Sequence, residues 1–224
     1  MRDPEHPINS IRRLQRGESL TNLVVLELER MIEARELQPG DRINEQLLST
    51  RLGISRGPIR EARRTLERAG LVVGVANRGL FVRRLERREV AEMYDLRALV
   101  TGYICARLAT RVTHQQVATL RGAITEMRGD EAASNKAKYF QANLRFHELL
   151  MTFAGHAQAK RVNDEFVQKM QLVRMQVITP EIANAEHAAV VDAIATGNAL
   201  LARELGEAHV LGGKRRWLEQ ADDL

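Results

Sequence analysis

The helix start and stop signals after residue 40 constrain the fold of this chain more than any other feature. Asn44, a residue type that favours helix N-caps, opens a short run that ends at Gly53, and Ser55 opens a second run that ends at Gly70. A three-residue turn centred on Gly53 separates the two predicted helices. So short a turn with a central glycine is typical of a helix-turn-helix motif.

Two β-rich runs follow this motif, at residues 71–73 and 80–82, with Asn-Arg-Gly at residues 77–79 near the tip of the hairpin that they predict. An earlier helix is predicted over residues 20–36, after a capping serine. The order helix, helix, turn, helix, hairpin predicts a winged helix-turn-helix domain. We place this domain at residues 19–84.

The rest of the chain, residues 85–224, has apolar residues at three- and four-residue spacing and no strand signal. It predicts an antiparallel bundle of about six helices, with breaks that include Gly129-Asp130 and Gly197. The predicted fold class is therefore mainly α, a winged helix-turn-helix domain followed by an all-α bundle. The predicted helices span residues 88–111, 114–129, 135–154, 157–178, 181–196 and 198–218.

The excess of positive charge is confined to the N-terminal part. Residues 1–85 hold sixteen arginines, no lysine and eleven acidic residues, whereas the later residues are neutral overall. A high-GC genome accounts for part of the arginine count but not for the position of the excess. Because the arginine fork suits phosphates and guanine edges, this distribution indicates a nucleic-acid-binding module joined to a second module.

The sequence also indicates in which cellular compartment the protein is found. Residues 1–18 are polar, lack the apolar core of a signal peptide and predict a flexible tail. No stretch approaches the roughly 20 apolar residues of a membrane span. Cys105 is the only cysteine, which excludes an internal disulfide and a multi-cysteine zinc site. We therefore expect a cytoplasmic protein without a membrane partner.

The second helix of the motif begins with residues suited to the DNA major groove. A recognition helix enters the groove by its N-terminal residues, which here include Ser55, Arg56, Gly57 and Arg60. Arg56 and Arg60 lie one turn apart on one face, and Gly57 lets the backbone approach DNA closely. Such arginines can also form a plain solvated helix face. The cap, turn and wing in register favour DNA binding.

Three of the histidines have spacings that bring them together. His187 lies ten residues before Gly197 and His209 twelve residues after it, so in an antiparallel hairpin both lie about 15–18 Å from the turn. Asn143 and His147 are four apart and share a face of another helix. Three imidazoles and an amide oxygen would make a divalent metal site with open positions. Spacing alone leaves open that each is an ordinary hydrogen-bonded histidine.

The other histidines and the nearest acid are expected elsewhere. His114 is expected to be exposed at a helix start and His156 to lie at a helix end, while His6 falls in the tail. Glu186 adjoins His187 but is expected to point to another face of its helix. Because no general base then accompanies the three histidines, we predict that the protein is not an enzyme.

Four segments of the chain resemble the GntR family of bacterial transcription regulators: residues 37–48, 52–62, 66–72 and 77–82. The helical part resembles the FCD effector-binding domain of the FadR-type branch of that family. Together the resemblance covers about residues 20–215. Its markers in the bundle are Asp95-Leu96-Arg97, Asn143 with Phe146-His147, Glu186-His187, and His209.

The resemblance implies a homodimer that binds a pseudo-palindromic DNA operator, and a small carboxylate effector that binds inside the bundle and alters DNA affinity. Many members hold a divalent metal, such as Zn²⁺, Ni²⁺ or Mn²⁺, with one Asp and three His. Here Asn143 takes the Asp position beside His147, His187 and His209. This neutral set leaves the metal charge uncompensated, which favours an anionic effector. Arg97 matches an arginine beside that pocket, where it pairs with the carboxylate or with a neighbouring helix.

For DNA, the resemblance implies contacts from the start of the recognition helix and from the wing. The position of Gln46 contacts DNA in relatives that have arginine there, and glutamine can still donate to a phosphate. Arg35 and Arg78 are included for their charge alone. The predicted DNA-contacting residues are Arg35, Gln46, Ser55, Arg56, Gly57, Arg60, Arg78 and Gly79.

The sequence therefore predicts a metabolite-responsive transcription regulator that acts as a repressor. Two alternatives stay open. One is a metal-dependent enzyme that uses the three-histidine site. The other is a constitutive DNA-binding protein whose metal site is structural or empty.

Overall fold

A computed structural model describes residues 19–132, 134–174 and 179–221 of the chain. The tail predicted for residues 1–18 lies outside these residues. Among the described helices, none combines the length and apolar character that a membrane crossing requires.

The chain divides into two compact units. Residues up to Leu85 form the N-terminal unit, together with Gln168–Val173 from a later helix, and the rest forms the helical unit. From residue 19 to Leu85, the N-terminal unit has three helices and a three-stranded antiparallel sheet of order β1-β3-β2. Its elements are α1 Leu20–Glu33, β1 Arg42–Ile43, α2 Glu45–Leu52, α3 Arg56–Ala69, β2 Val72–Val75 and β3 Gly79–Val82.

Local caps set the starts of these helices. The Ser19 hydroxyl accepts a hydrogen bond from the backbone N–H of Asn22 at 3.2 Å, and the Asn44 carboxamide accepts from Gln46 and Leu47. Ser55 occupies the predicted N-cap position of α3, although its hydroxyl makes no capping hydrogen bond.

The turn between α2 and α3 depends on Gly53, whose φ of 64° lies in the left-handed region that glycine adopts without strain. The Ser49 hydroxyl donates to the Ile54 carbonyl at 2.7 Å and fastens the turn. The predicted helix-turn-helix is therefore confirmed.

The wing differs from its prediction in extent. Strand β2 begins one residue later and ends two residues later than expected, and β3 begins one residue earlier, so the hairpin pairs Val75 with Gly79. The short strand β1 was not predicted; it pairs Arg42 with Phe81 and Ile43 with Leu80. Two residues carry too little pattern to predict a strand, and this one forms only because β3 offers a free edge.

Each unit has its own core. In the N-terminal unit, Val24, Leu28 and Ile32 of α1 pack with Leu66 of α3 and with Val82 of the wing. Because these apolar residues come from every main element, burying them fixes the orientation of α3 relative to the wing.

The helical unit contains six helices within the described residues, and the structure confirms the predicted fold class. The predicted break at Gly129-Asp130 is wrong, because the second helix of the unit continues through it to Ala132. The other helix ends lie within a few residues of their predictions, except that the end predicted at residue 178 lies outside the described residues. They are α4 Arg87–Ala109, α5 His114–Ala132, α6 Lys136–Ala154, α7 Ala157–Arg174, α8 Pro180–Ala195 and α9 Ala199–Ala221.

The core of the bundle lies among α4, α5, α6 and α8. Its fully buried side chains include Leu108, Leu120, Phe146 and Val191. Phe146 precedes His147 on α6, and its ring centroid lies 4.5 Å from that of His187 on α8. The apolar core therefore continues directly into the group of histidines.

Candidate functional site

The recognition helix α3 has one buried and one exposed face. Ile59, Ala62 and Leu66 are buried against the unit. Ser55, Arg56, Gly57 and Arg60 are exposed at or near its N-terminus. This places the four predicted contacts on the end of the helix that enters a major groove in this motif.

Arg56 and Arg60 differ in their surroundings. One terminal nitrogen of Arg56 donates a hydrogen bond to Oε1 of Gln46, on the preceding helix α2. Arg60, one turn later, makes no hydrogen bond or ion pair with any described residue. Arg60 is therefore available to an external anion, whereas Arg56 is held by a neutral partner that leaves its charge intact.

Other arginines of α3 are engaged within the unit. Arg63 lies 3.1 Å from Glu67, and Arg64 lies 2.9 Å from Glu61. Their charges are matched by these carboxylates, whereas Arg56 at the N-terminal end is held by an uncharged amide.

The wing places two more predicted residues at the surface. Arg78 is exposed at the hairpin tip. Gly79 follows it with a φ of 106°, which strains any residue with a Cβ, and a Cβ there would lie 3.2 Å from the guanidinium of Arg42. Arg42 thus lies beside the wing and adds a positive charge that sequence reasoning missed, since its strand was not predicted.

Arg35 was predicted from its charge alone to contact a DNA phosphate, but its side chain is not fully exposed. Its backbone has a φ of 60°, and its half-buried guanidinium donates to the Leu172 carbonyl at 3.2 Å. Burial lowers the pKa of this group. Arg35 thus has a contact within its own unit, and its role toward DNA stays a prediction.

The structure brings three predicted metal ligands together in the helical unit. His147 on α6, His187 on α8 and His209 on α9 place ligand nitrogens within 4.8 Å of one another, and all three side chains are buried. Nε2 of His147 and Nε2 of His209 are 3.4 Å apart. The ring centroids of His187 and His209 are 4.4 Å apart, so the equal heights expected across the hairpin are found.

Two of the remaining histidines lie where they were expected. His114 is exposed at the start of α5. His156 lies at the start of α7, where its Nδ1 accepts a hydrogen bond from the backbone N–H of Ala159 at 3.1 Å. His6 lies outside the described residues.

The donor set fits a divalent transition metal. Imidazole nitrogens bind zinc at about 2.0–2.1 Å, so two such ligands in a tetrahedral site lie about 3.3 Å apart. The separation of 3.4 Å between the His147 and His209 nitrogens matches this spacing. Neutral imidazole suits zinc and nickel, whereas manganese prefers oxygen ligands.

Glu186 does not point away from the histidines, so that prediction is wrong. Its Oε2 accepts a hydrogen bond from Nδ1 of His209 at 2.8 Å. Arg216 donates to both carboxylate oxygens of Glu186, at 2.8 and 3.0 Å. A long side chain on α8 can reach α9 even from a position next to His187, which spacing rules for Cβ positions do not capture.

The electrostatics of this group are consistent with a neutral His209 and an ionised Glu186. Burial raises the pKa of Glu186, but hydrogen bonds from His209 and Arg216 outweigh it and lower the pKa to about 2. Burial lowers the pKa of His209 despite its bond to Glu186. The neutral imidazole then carries its proton on Nδ1, and its Nε2 lone pair faces His147.

A cavity of about 80 Å³ opens beside the histidines. His147 and His209 line it, whereas His187 does not line it and has no exposed surface. Arg97 and Asn143, the predicted effector and metal residues, also line the cavity. Arg97 is 2% exposed and donates from Nε to the Asn163 carboxamide at 3.3 Å. The cavity has room for several water-sized groups, which suits a small acid.

Two arginines therefore border the cavity, of which sequence reasoning found one. Arg216 was missed, although it lies seven residues after His209, two turns along the same face of α9. That spacing was a usable signal. Tyr139 also lines the cavity and was missed; its hydroxyl lies 3.3 Å from the Asn184 carboxamide oxygen, and burial raises its pKa to about 12.

Comparison with known proteins agrees with both units. Residues 20–82 match the family described as bacterial regulatory proteins, gntR family, and residues 92–212 match the FCD domain. The chain is 29% identical over 145 residues to the Nta operon transcriptional regulator of Aminobacter aminovorans, covering 64% of this chain and 68% of that protein. It is 28% identical over 174 residues to the probable D-xylose utilization operon transcriptional repressor of Paenarthrobacter nicotinovorans, covering 76% of each.

Solved structures share the fold. E. coli McbR/YncC matches with a TM-score of 0.77 at 17% identity, over 91% of this chain and 99% of that one. A putative GntR regulator from Rhodococcus sp. RHA1 matches with a TM-score of 0.73 at 22% identity, over 89% and 97%. The chain belongs to the GntR family of bacterial transcription regulators with an FCD domain, and it is a DNA-binding regulator rather than an enzyme.

Proposed function

We propose that this regulator binds a pseudo-palindromic operator as a homodimer and that a small carboxylate, bound in the bundle at a divalent metal, alters its affinity for DNA. The observation that carries the proposal is the cavity that His147, His209 and Arg97 line inside the FCD domain. An effector acts only through different affinities for the DNA-competent and DNA-incompetent arrangements of the dimer.

Operator recognition is assigned to the exposed end of α3 and to the wing. Arg56 and Arg60 reach base edges, while Arg42 and Arg78 bind phosphates. This division is supported by the position of the first pair at the N-terminus of the recognition helix and of the second pair at the wing.

The anionic character of the effector follows from the charges around the cavity. Arg97 and Arg216 both line the cavity with positively charged side chains, and Glu186 pairs with Arg216. A divalent metal held by neutral His147, His187 and His209 adds two more positive charges. One or more carboxylates on the ligand would balance this excess, and a carboxylate oxygen is also a good metal ligand.

The dimer is supported by an apolar stripe on α4. Leu96, Leu99 and Tyr103 share one face and are 52%, 55% and 47% exposed. Exposed apolar side chains in such a row mark an interaction surface. A second copy is the partner that a two-fold operator requires, since two recognition helices must read equivalent half-sites.

Repression is the proposed mode, because relatives from Paenarthrobacter nicotinovorans and E. coli are named as repressors. The competing function is constitutive DNA binding with a structural metal.

The test begins with selection of genomic DNA fragments by the purified protein, followed by fluorescence anisotropy of the selected operator with a panel of small carboxylates and added Zn²⁺ or Ni²⁺. We expect a dissociation constant of about 10⁻⁸ to 10⁻¹¹ M, weakened at least about fivefold by one acid. His187→Ala should bind the operator normally but ignore that acid. Operator binding that no acid alters would support constitutive binding instead.

A further inference from the structure

We infer that Glu186 and Arg216 are positioning residues that hold His209 ready to bind the metal. This inference rests on the proposed metal site and deepens it. Neither residue is assigned as a ligand: Glu186 contacts Nδ1 of His209, the nitrogen opposite the one that faces His147, and Arg216 contacts Glu186.

The first step concerns the His209 ring. An imidazole binds a metal through a deprotonated nitrogen, so the proton of neutral His209 must lie on the other nitrogen. Glu186 accepts a hydrogen bond from Nδ1 at 2.8 Å. That bond fixes the proton on Nδ1 and leaves the lone pair on Nε2, 3.4 Å from Nε2 of His147. A carboxylate behind a ligating histidine also increases its basicity as a ligand.

The second step concerns the carboxylate. Arg216 donates to both oxygens of Glu186, at 2.8 and 3.0 Å, and its side chain is 17% exposed. Such a two-point contact fixes the plane of the carboxylate as well as its position. Glu186 lies on α8, whereas His209 and Arg216 lie on α9. Hydrogen bonds among these three residues therefore connect α8 and α9, the helices that carry His187 and His209.

The third step concerns the ligand. Two of the five guanidinium N–H groups of Arg216 serve Glu186, and the same side chain lines the cavity. Arg216 can therefore donate to a bound carboxylate while it holds Glu186. The chain Arg216–Glu186–His209 connects the ligand cavity to the metal ligand through direct hydrogen bonds.

The experiment measures metal affinity and the His209 tautomer in the full-length protein. Dissociation constants for Zn²⁺, Ni²⁺ and Co²⁺ come from competition with a chromophoric chelator, for the wild type and for Glu186→Ala, Glu186→Gln and Arg216→Gln. Asp192→Asn is the matched control, because Asp192 lies on the same helix and pairs with Arg121 at the exposed surface. Long-range ¹⁵N correlation spectra of the metal-free protein report the protonated nitrogen of His209.

We expect Glu186→Ala to weaken metal binding about 10–100-fold, Glu186→Gln and Arg216→Gln to weaken it less, and Asp192→Asn to leave it within about twofold. The wild-type spectrum should show the Nδ1–H tautomer, and Glu186→Ala should lose it. A purely structural ion pair would lower the melting temperature of these variants without changing metal affinity.

Three results would overturn the inference. One is metal affinity within twofold of the wild type in both Glu186→Gln and Arg216→Gln; these two variants decide if Glu186→Ala does not fold. Another is an Nε2–H tautomer of His209 in the metal-free wild type. The third is a wild type that binds none of the three ions, which also removes the proposed metal function and so is distinguishable from the first two.

Discussion

Arg56 donates a hydrogen bond to Gln46 across the turn of the helix-turn-helix, so the side chain at the start of the recognition helix is held by the helix before it. The amide restrains the guanidinium without neutralising it. We therefore expect Gln46 to contribute to DNA recognition by directing Arg56, as well as through any phosphate contact of its own.

Gln46→Ala should relax operator selection with little change in salt dependence. The substitution frees the Arg56 side chain but removes no charge, and salt dependence follows the number of phosphates neutralised. We expect discrimination against single-base operator variants to fall several-fold in anisotropy titrations. Gln46→Glu is the informative companion, because a carboxylate beside Arg56 should weaken binding to every sequence. Unchanged discrimination in Gln46→Ala would show that the hydrogen bond has no part in recognition.

Arg56→Ala and Arg78→Ala should impair DNA binding in different ways. Losing a base-reading arginine costs about 1–3 kcal/mol of discrimination at one position, whereas losing a phosphate contact weakens all sequences alike and reduces the salt slope by about one. Titrations of the operator and of unrelated DNA at several salt concentrations separate the two effects. Equal slopes and equal specificity in both variants would contradict the assignment.

Leu99→Glu should weaken self-association at least about tenfold, because it places a charge in the centre of the exposed stripe on α4. Leu200→Glu is the control, because Leu200 lies on α9, outside the stripe on α4, and is more exposed, at 78%. Light scattering across a concentration series measures the midpoint of the transition from monomer to dimer. A Leu99→Glu dimer as tight as the wild type would place the interface elsewhere.

Acid should destabilise the protein through Glu186. Its folded-state pKa of about 2 lies below the ordinary value of 4.5, so its stabilising contribution is complete above pH 4.5 and is lost as the pH falls toward 2. The contribution is at most about 3 kcal/mol. Urea unfolding at pH 4.5 and 3 with chelator present should show a smaller fall in unfolding free energy for Glu186→Gln than for the wild type or Asp192→Asn. An equal fall in all three would mean that Glu186 is not held as described.

Local signals explain why the order of helices and strands could be predicted from the sequence. Caps such as Asn44 and helix-ending glycines such as Gly53 act over a few residues, so the order of elements followed from them. Structural features that depend on partners distant in the sequence could not be predicted from these local signals. Strand β1 exists because β3 has a free edge, and α5 continues through Gly129 to Ala132, where the Glu131 carboxylate accepts a hydrogen bond from the Asn184 side chain of α8. A hydrogen bond to a charged group contributes about 1.5–3 kcal/mol, which exceeds the cost of about 1 kcal/mol for glycine within a helix.

The candidate metal site was partly predictable for the same reason. Similar distances from the turn at Gly197 bring His187 and His209 together, because an antiparallel hairpin converts sequence spacing into height along the helices. The role of Glu186 depended on the reach of its side chain across to α9, which no spacing rule gives.

The most direct measurement is the melting temperature of the metal-depleted and metal-loaded protein, Zn²⁺ or Ni²⁺ being added back, in the presence of a panel of small carboxylates. A ligand at 100 times its dissociation constant stabilises the folded state by about 2.7 kcal/mol, which raises the melting temperature by about 5–10 °C in a chain of this size. We predict that at least one acid gives such a shift only with metal present, and that His187→Ala abolishes it. Shifts that persist in chelator, in a protein that takes up no metal, would contradict a metal-held carboxylate at these histidines.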